Sequence, residues 1–246
     1  MENALLIGLS RQTALGRELD VIANNMANVT TNGFKARDAR FREYLMPVAR
    51  ADAFPWPDQR LSYVIDSGTP IDMESGSIEI TNNPLNAAIR GDAFFAVQTT
   101  GGERYTRNGA FEINERGQLV TSDGNPVLGQ SGPITVGPEE TGVSIAPDGA
   151  VLTSQGERGR IRLVRFNNPQ GLDNVGANLF SAAEPAQAAP NARVQGGALE
   201  RSNVKPVLEM SRMIDVNRAY TSVAAMMTRM DELRRSAISR LADAAA

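Results

Sequence analysis

The stretch IANNMANVTTNGFKA, residues 22–36, crowds Asn24, Asn25, Asn28 and Asn32 together directly after a helix-like segment. Asparagine is a poor helix former because its side-chain amide competes with the backbone for hydrogen bonds. A cluster of it marks a helix end or a polar surface with a specific partner. If the helix runs through Asn28, Asn24 and Asn28 share a face at i,i+4, and Asn25 meets Asn28 at i,i+3. Amides both donate and accept, so they can satisfy carbonyls at a helix C-terminus or groups on a neighbouring chain. Gly33 can supply the positive φ that ends the turn. Phe34 then re-enters an apolar layer, and Lys35 suits the negative end of the helix dipole. An ordinary helix stop needs one asparagine or glycine; three or four argue for an interface.

Upstream, residues 3–26 read as a helix. Leu5, Leu9, Gln12, Gly16, Leu19, Ala23 and Met26 follow a 4-3 spacing, and Leu15 and Ile22 widen the stripe. At the other end, residues 206–242 read as a longer helix, spanning roughly 50 Å. Met213, Val216, Tyr220, Val223, Met227, Met230, Arg234, Ala237 and Leu241 alternate at 3-4 spacing, the recurrence of a coiled-coil seam. Pro206 fits an early helix position, where its missing N–H costs nothing. Both helices could instead lie on the chain's own β region. Against that, they stand at opposite ends of the sequence, and Gln12, Gly16 and Ala23 make a weak stripe that needs further neighbours to bury it.

Between them the chain is turn-rich. Of 22 glycines, four precede Gly76 and two follow Gly176. SIEIT (77–81), FFAVQT (94–99), QLVTS, VSIAP, AVLTS and RIRLVRF (160–166) read as short strands separated by Gly101-Gly102, Asp123-Gly124 and Asp148-Gly149. INERGQLVTSDG from Ile113 and IAPDGAVLTSQG from Ile145 repeat at an offset of 32 residues, each reading strand, tight turn, strand, turn. Two such hairpins suggest an antiparallel sheet or barrel-like unit. Residues 54–60 hold Trp56, the only tryptophan, between two prolines, and read as an aromatic cluster under a loop. EPAQAAP (184–190) reads as a connector. The fold class expected is α+β: terminal helices pairing as a coiled-coil layer, with a central antiparallel all-β domain. The boundaries expected are 1–36 for the N-terminal helix and asparagine-rich turn, 37–75 for an extended arm, 76–183 for the β domain, 184–205 for the connector and 206–246 for the C-terminal helix.

Composition narrows the function. At 246 residues the chain can bury a real core. Its net charge of −3 and the lack of a basic block argue against nucleic acid as a partner. With no cysteine, disulfides, thiolate metal sites and cysteine nucleophiles are excluded; with no histidine, the usual general base and commonest metal ligand are gone. No apolar run reaches the ~18 residues of a membrane span, so no direct membrane insertion is expected. The opening MENALLIGLSRQ lacks a basic n-region, so no ordinary cleavable signal is expected either. Neither GDAFF (91–95) nor TTGGERYTRNG (99–109) has phosphate-loop spacing, and VGPEETG (136–142) lacks the alternating oxygen ligands of a calcium loop. Asp92 and Glu112 could in principle form a glycosidase-like pair. The expectation is no cofactor, no metal and no catalytic residue.

Three segments carry a resemblance to a known family. ANNMANVTTNGFK (23–35) resembles the ANNxANxxTxGFK signature of bacterial flagellar rod and hook proteins. LERSNVKPVLEMSRMIDVNRAY (199–220) resembles that family's second signature, and residues 83–129 resemble the middle of its rod subgroup. Ala93 stands where the family often has a second glycine. The modest length fits a rod protein, the proximal rod before the distal, better than a hook protein with its larger middle. The resemblance implies an axial subunit of the basal body, exported by the flagellar type III apparatus into the periplasmic rod and partnered by copies of itself and other axial proteins. It implies no enzyme activity. The assembly interface expected comprises Leu5, Leu9, Leu19, Ile22, Asn24, Asn25, Asn28, Gly33, Phe34, Asn203, Val204, Met213, Val216, Arg218, Tyr220, Val223, Met227 and Met230. Two readings of another class compete: a carboxylate-based carbohydrate-active enzyme, and a secreted β-type binding module on a helical stalk.

Overall fold

The computed structural model describes residues 2–45, 62–66 and 69–244. It divides into two compact units. The first comprises Met1–Met26, Arg37–Pro70 and Lys205–Ala246; the second comprises Ala27–Ala36 and Ile71–Val204. The chain is α+β, with helices at its two ends and antiparallel strands between.

The first unit contains helix α1, Glu2–Ala27, helix α2, Pro206–Ala244, and one strand pair. α1 stops just before Asn28, so the asparagine-rich stretch straddles a helix end instead of continuing the helix. α2 begins at Pro206, where the fixed φ and absent N–H are tolerated. The strands Phe41–Leu45 and Ser62–Asp66 pair antiparallel, with Phe41 opposite Asp66 and Leu45 opposite Ser62. Trp56 and its flanking prolines lie outside the described residues.

The second unit is built on a six-stranded antiparallel sheet. Its order is Leu172–Gly176, Leu179–Ala182, Gly102–Thr106, Phe94–Thr99, Leu163–Arg165, Gln187–Ala188. Strand Phe94–Thr99 is covered on both faces, which explains a run of four apolar residues in place of alternation. Phe95 and Val97 join Ile89, Phe111, Leu119, Val127 and Val151 in one core; Phe94 and Ala96 join Tyr105, Val164, Leu172 and Phe180 in another. Edge-to-face aromatic pairs tighten both, Phe95–Phe111 at 5.0 Å and Phe94–Phe180 at 5.7 Å between centroids.

The repeated motif folds twice into the same hairpin. Gly117 N–H donates to Asn114 O and Gly149 N–H to Ala146 O, both at 2.9 Å, and the two glycines have φ of +74° and +82°. Leu119 and Val151, equivalent at the 32-residue offset, are fully buried. Elsewhere the strands depart from expectation. RIRLVRF is broken, with one strand ending at Arg160 and the next beginning at Leu163. Residues 184–205, read as a connector, carry three strands: Gln187–Ala188, Arg193–Gly196 paired with Ala87–Arg90, and Ala198–Glu200 paired with Ile78–Ile80. Alanine and proline mark a loop by composition, but here long-range pairing overrides local preference. Ala93 is buried and is not among the positive-φ residues, so its backbone conformation does not require glycine.

Candidate assembly interface

α1 and α2 run antiparallel. A Cβ placed on Gly8 would lie 3.1 Å from Met227 Cγ, and one on Gly16 would lie 3.9 Å from Tyr220. Further along, Arg212 reaches Glu18 at 3.9 Å, and Asn25 reaches Glu209 at 3.4 Å. On α2 the residues shielded from solvent include Met213, Val216, Tyr220, Val223, Met227 and Met230, six of the positions in the 3-4 alternation; Arg218 is exposed. On α1 the shielded stripe runs through Gly8, Gln12, Leu15, Leu19, Ile22 and Met26. Leu9 and Ala23, expected on the stripe, are exposed; it is the neighbouring Gly8 that is buried, with Met227 close against it. Leu5 is on α1.

The helices differ in length by half. At 1.5 Å per residue the 26 residues of α1 span about 39 Å and the 39 residues of α2 about 58 Å. Every residue from 232 to 240 is exposed, including Leu233 at 68% and Ile238 at 60%. Nearer its start α2 also exposes Val207, Leu208, Met210 and Ile214, and α1 exposes Leu6 and Leu9.

Only one of the four clustered asparagines is buried. Asn25 donates from Nδ2 to Arg37 O at 2.8 Å and accepts at Oδ1 from Arg37 N–H at 3.0 Å, so its amide serves both polar groups of a single residue. Beside it Arg212 pairs with Asp38 at 2.8 Å and with Glu209 at 3.7 Å. Asn24 is exposed, and Asn28 accepts from Thr31 Oγ1 at 3.1 Å.

In the second unit, Gly33 has a φ of +67°, as a turn-ending glycine should, and Phe34 is buried. The reading of Lys35 as a helix-end cation is overturned: it is buried, and its ammonium donates to Glu200 Oε1 and to Glu74 O, both at 2.7 Å. Glu200 also accepts from Arg107 Nη1 at 3.3 Å, and the Arg107 guanidinium lies 5.3 Å from the centre of the Phe94 ring. Burial pushes the Lys35 and Arg107 pKa values below their ordinary ranges, while Glu200's carboxylate opposes both shifts. Reading along the sequence missed this cluster, because a charged residue at 35, 107 or 200 looks like surface until the three are brought together. Asn203 accepts from Ala36 N–H at 2.7 Å and donates to Asp72 O and Glu74 O, both at 3.0 Å; Val204 beside it is buried.

Hydrolytic chemistry finds little support. Asp92 and Glu112 are both exposed. One cleft in the second unit, about 610 Å³ and larger than the next, is lined by Arg90, Arg193, Ser144, Gln195 and otherwise by apolar residues and glycine, with no carboxylate. The smaller, about 400 Å³, has Glu157 as its one carboxylate, where a glycosidase needs a facing pair. Among the described residues no cluster of three or more Asp or Glu could hold a metal, and no helix is long and apolar enough to cross a membrane.

Comparison with known proteins points elsewhere. Residues 5–35 match the family model of the flagella basal body rod protein, residues 88–153 that of the flagellar hook protein FlgE/F/G D1 domain, and residues 195–240 that of the flagellar basal body rod FlgEFG protein C-terminal region. The chain is 42% identical over 245 residues to the flagellar basal-body rod protein FlgF of Caulobacter vibrioides, covering 98% of each. It is 32% identical to FlgF of Escherichia coli, covering 94% of this chain and 95% of that one. It is also 32% identical to the flagellar basal-body rod protein FlgG of Bacillus subtilis, covering 95% and 97%.

Proposed function

Since the chain belongs to the flagellar basal-body rod protein family and is a structural subunit of that rod, we propose that it polymerises through α1 and α2. In this reading the two helices form a coiled-coil inner layer, and copies of the chain, together with other axial proteins, add further helices to it. The observation that carries the reading is the apolar surface left on α2. Leu233, Ile238 and Met226 expose about half or more of their area, on a helix that outreaches α1 by roughly 20 Å. Burying the half to two-thirds of each side chain that is still exposed gains about 1–2 kcal/mol apiece, so neighbouring helices have a driving force to dock there. Repetition of a heterologous contact gives a helical shaft, and packed helices along a shaft carry torque to the hook.

We further place the subunit in the proximal rod, exported by the flagellar type III apparatus to the periplasm. The numerous FlgF relatives favour the proximal position over the distal one. The test is to replace Leu233 and Ile238 by aspartate and image basal bodies. The substituted chain should fold and be exported normally, yet basal bodies should show a truncated rod. A complete rod carrying the substituted subunit would defeat the proposal that these positions are an assembly surface. Deleting the gene separately tests position, since a proximal subunit leaves a stub near the inner membrane.

A further inference from the structure

Three stretches far apart in sequence, 33–36, 71–77 and 198–204, converge on one buried carboxylate in the second unit. Each adjoins a point where the chain enters or leaves that unit, after Ala36, before Ile71 and after Val204. Oε1 of Glu200 accepts from Lys35 Nζ at 2.7 Å and from Gly76 N–H at 3.0 Å, and Oε2 accepts from Arg107 Nη1 at 3.3 Å. The backbone oxygen of the same residue accepts from Gly33 N–H at 2.7 Å. Lys35 closes the circuit by donating to Glu74 O, and Arg201 N–H by donating to Ser77 O at 2.8 Å.

The side chains of Lys35, Glu200 and Arg107 are all at most 1% exposed, so two cations share one anion out of water. Arg107 Nε has no partner among the described residues, so the cluster has no spare acceptor to lend there. Removing Glu200 would leave two buried cations with no anion, and removing Lys35 would strip Glu200 Oε1 and Glu74 O of the donor they share, either loss being far more costly than that of a surface pair. We infer that Glu200 acts as a buckle: the three stretches at the unit's entry and exit points open and close together, not one at a time. A pull on any one of them is then shared with the other two before any yields. The competing description is that each stretch is held separately, for instance Ile78–Ile80 and Ala198–Glu200 by their own ladder.

Amide hydrogen exchange on the full-length chain separates the two. The reporters are Gly33, Ala36, Gly76 and Arg201, whose N–H groups all donate within the buckle, with Ile161, which donates to Gly149 O, as the remote control. In rising urea the four reporters should converge on one opening, with protection factors agreeing within about threefold and a shared urea slope distinct from that of Ile161. Reporters that differ by more than about tenfold, or that match Ile161 in every respect, would overturn the inference. In a second arm, Lys35→Met should lower protection about tenfold or more at Gly76 and Arg201, remote from it in sequence, while Lys35→Arg should restore most of it. A loss confined to residues 33–36, or one equally large at Ile161, contradicts the buckle.

Discussion

Substituting alanine at Gly33 tests how closely the asparagine-rich turn is seated. Two costs add. The residue has a φ of +67°, and holding an L side chain in the left-handed region costs about 1–2 kcal/mol. The new Cβ would also lie 2.5 Å from Arg107 O and 2.6 Å from Asn108 N, both backbone atoms that no rotamer change can move aside. Overlap of that kind in a packed region typically costs about 1–3 kcal/mol as the backbone shifts. The sum, about 2–5 kcal/mol, is a large part of the ~5–15 kcal/mol that holds a domain folded. Gly124 is the internal control: its φ is +81°, with no atom within 4 Å of the added carbon, so Gly124→Ala carries only the conformational term. Urea unfolding followed by near-ultraviolet circular dichroism reports on the second unit through its clustered Phe94, Phe166, Phe180 and Tyr105 rings. Gly33→Ala should unfold at a clearly lower urea concentration than Gly124→Ala. Equal midpoints would mean that the turn has slack against residues 107–108, and the close-approach reasoning would fall.

Asn25→Ala removes both hydrogen bonds to Arg37 and should destabilise the helical unit by about 1–3 kcal/mol, read as a lower midpoint in far-ultraviolet thermal melts. Asn25→Asp should be no better, since it loses the donor and sets a carboxylate against Glu209, now 3.4 Å from Nδ2. Burial, reinforced by a hydrogen bond to Glu103, raises the Tyr105 pKa to about 12. Its phenolate absorbance should therefore rise well above the ordinary pH of about 10, and be absent from the same titration of Tyr105→Phe. Between about pH 10 and 12 the folded chain keeps a proton that the unfolded chain has released, so the second unit should lose stability as pH rises through that window.

What could be read along the chain was what repeats locally. From Met213 to Met230 the 3-4 alternation follows the shielded face of α2, because helical period and burial are the same signal there; its continuation through Arg234 and Ala237 is exposed. On α1 the stripe was harder to place. Glycine and glutamine fall at shielded positions while Leu6 and Leu9 face solvent, so apolar residues alone do not mark the covered side. The twin hairpins were legible for a similar reason: Gly117 and Gly149 mark turns that only a positive φ closes. Pairings made across more than a hundred residues left no local trace. Strand Ala198–Glu200 is three residues long and lies opposite Ile78–Ile80, and nothing near residue 200 announces that partner. The buried charges were invisible for the complementary reason, because lysine, arginine and glutamate are surface residues by default and become core only as a set.

Two asparagine side chains meet the same chemical requirement, one in each unit. At residues 36–37 the chain belongs to no regular strand or helix, yet its backbone groups still need partners. Within the helical unit, Asn25 supplies a donor and an acceptor to Arg37, as a neighbouring strand would. Within the β unit, Asn203 accepts from Ala36 and donates to two carbonyls. Aspartate could only accept, and serine is too short to bridge both groups of one residue, so the amide is the side chain that fits. Asparagine in this stretch is therefore not simply a helix terminator: Asn25 sits inside α1, where its intrinsic preference is poor, because its amide is needed on a residue twelve positions ahead.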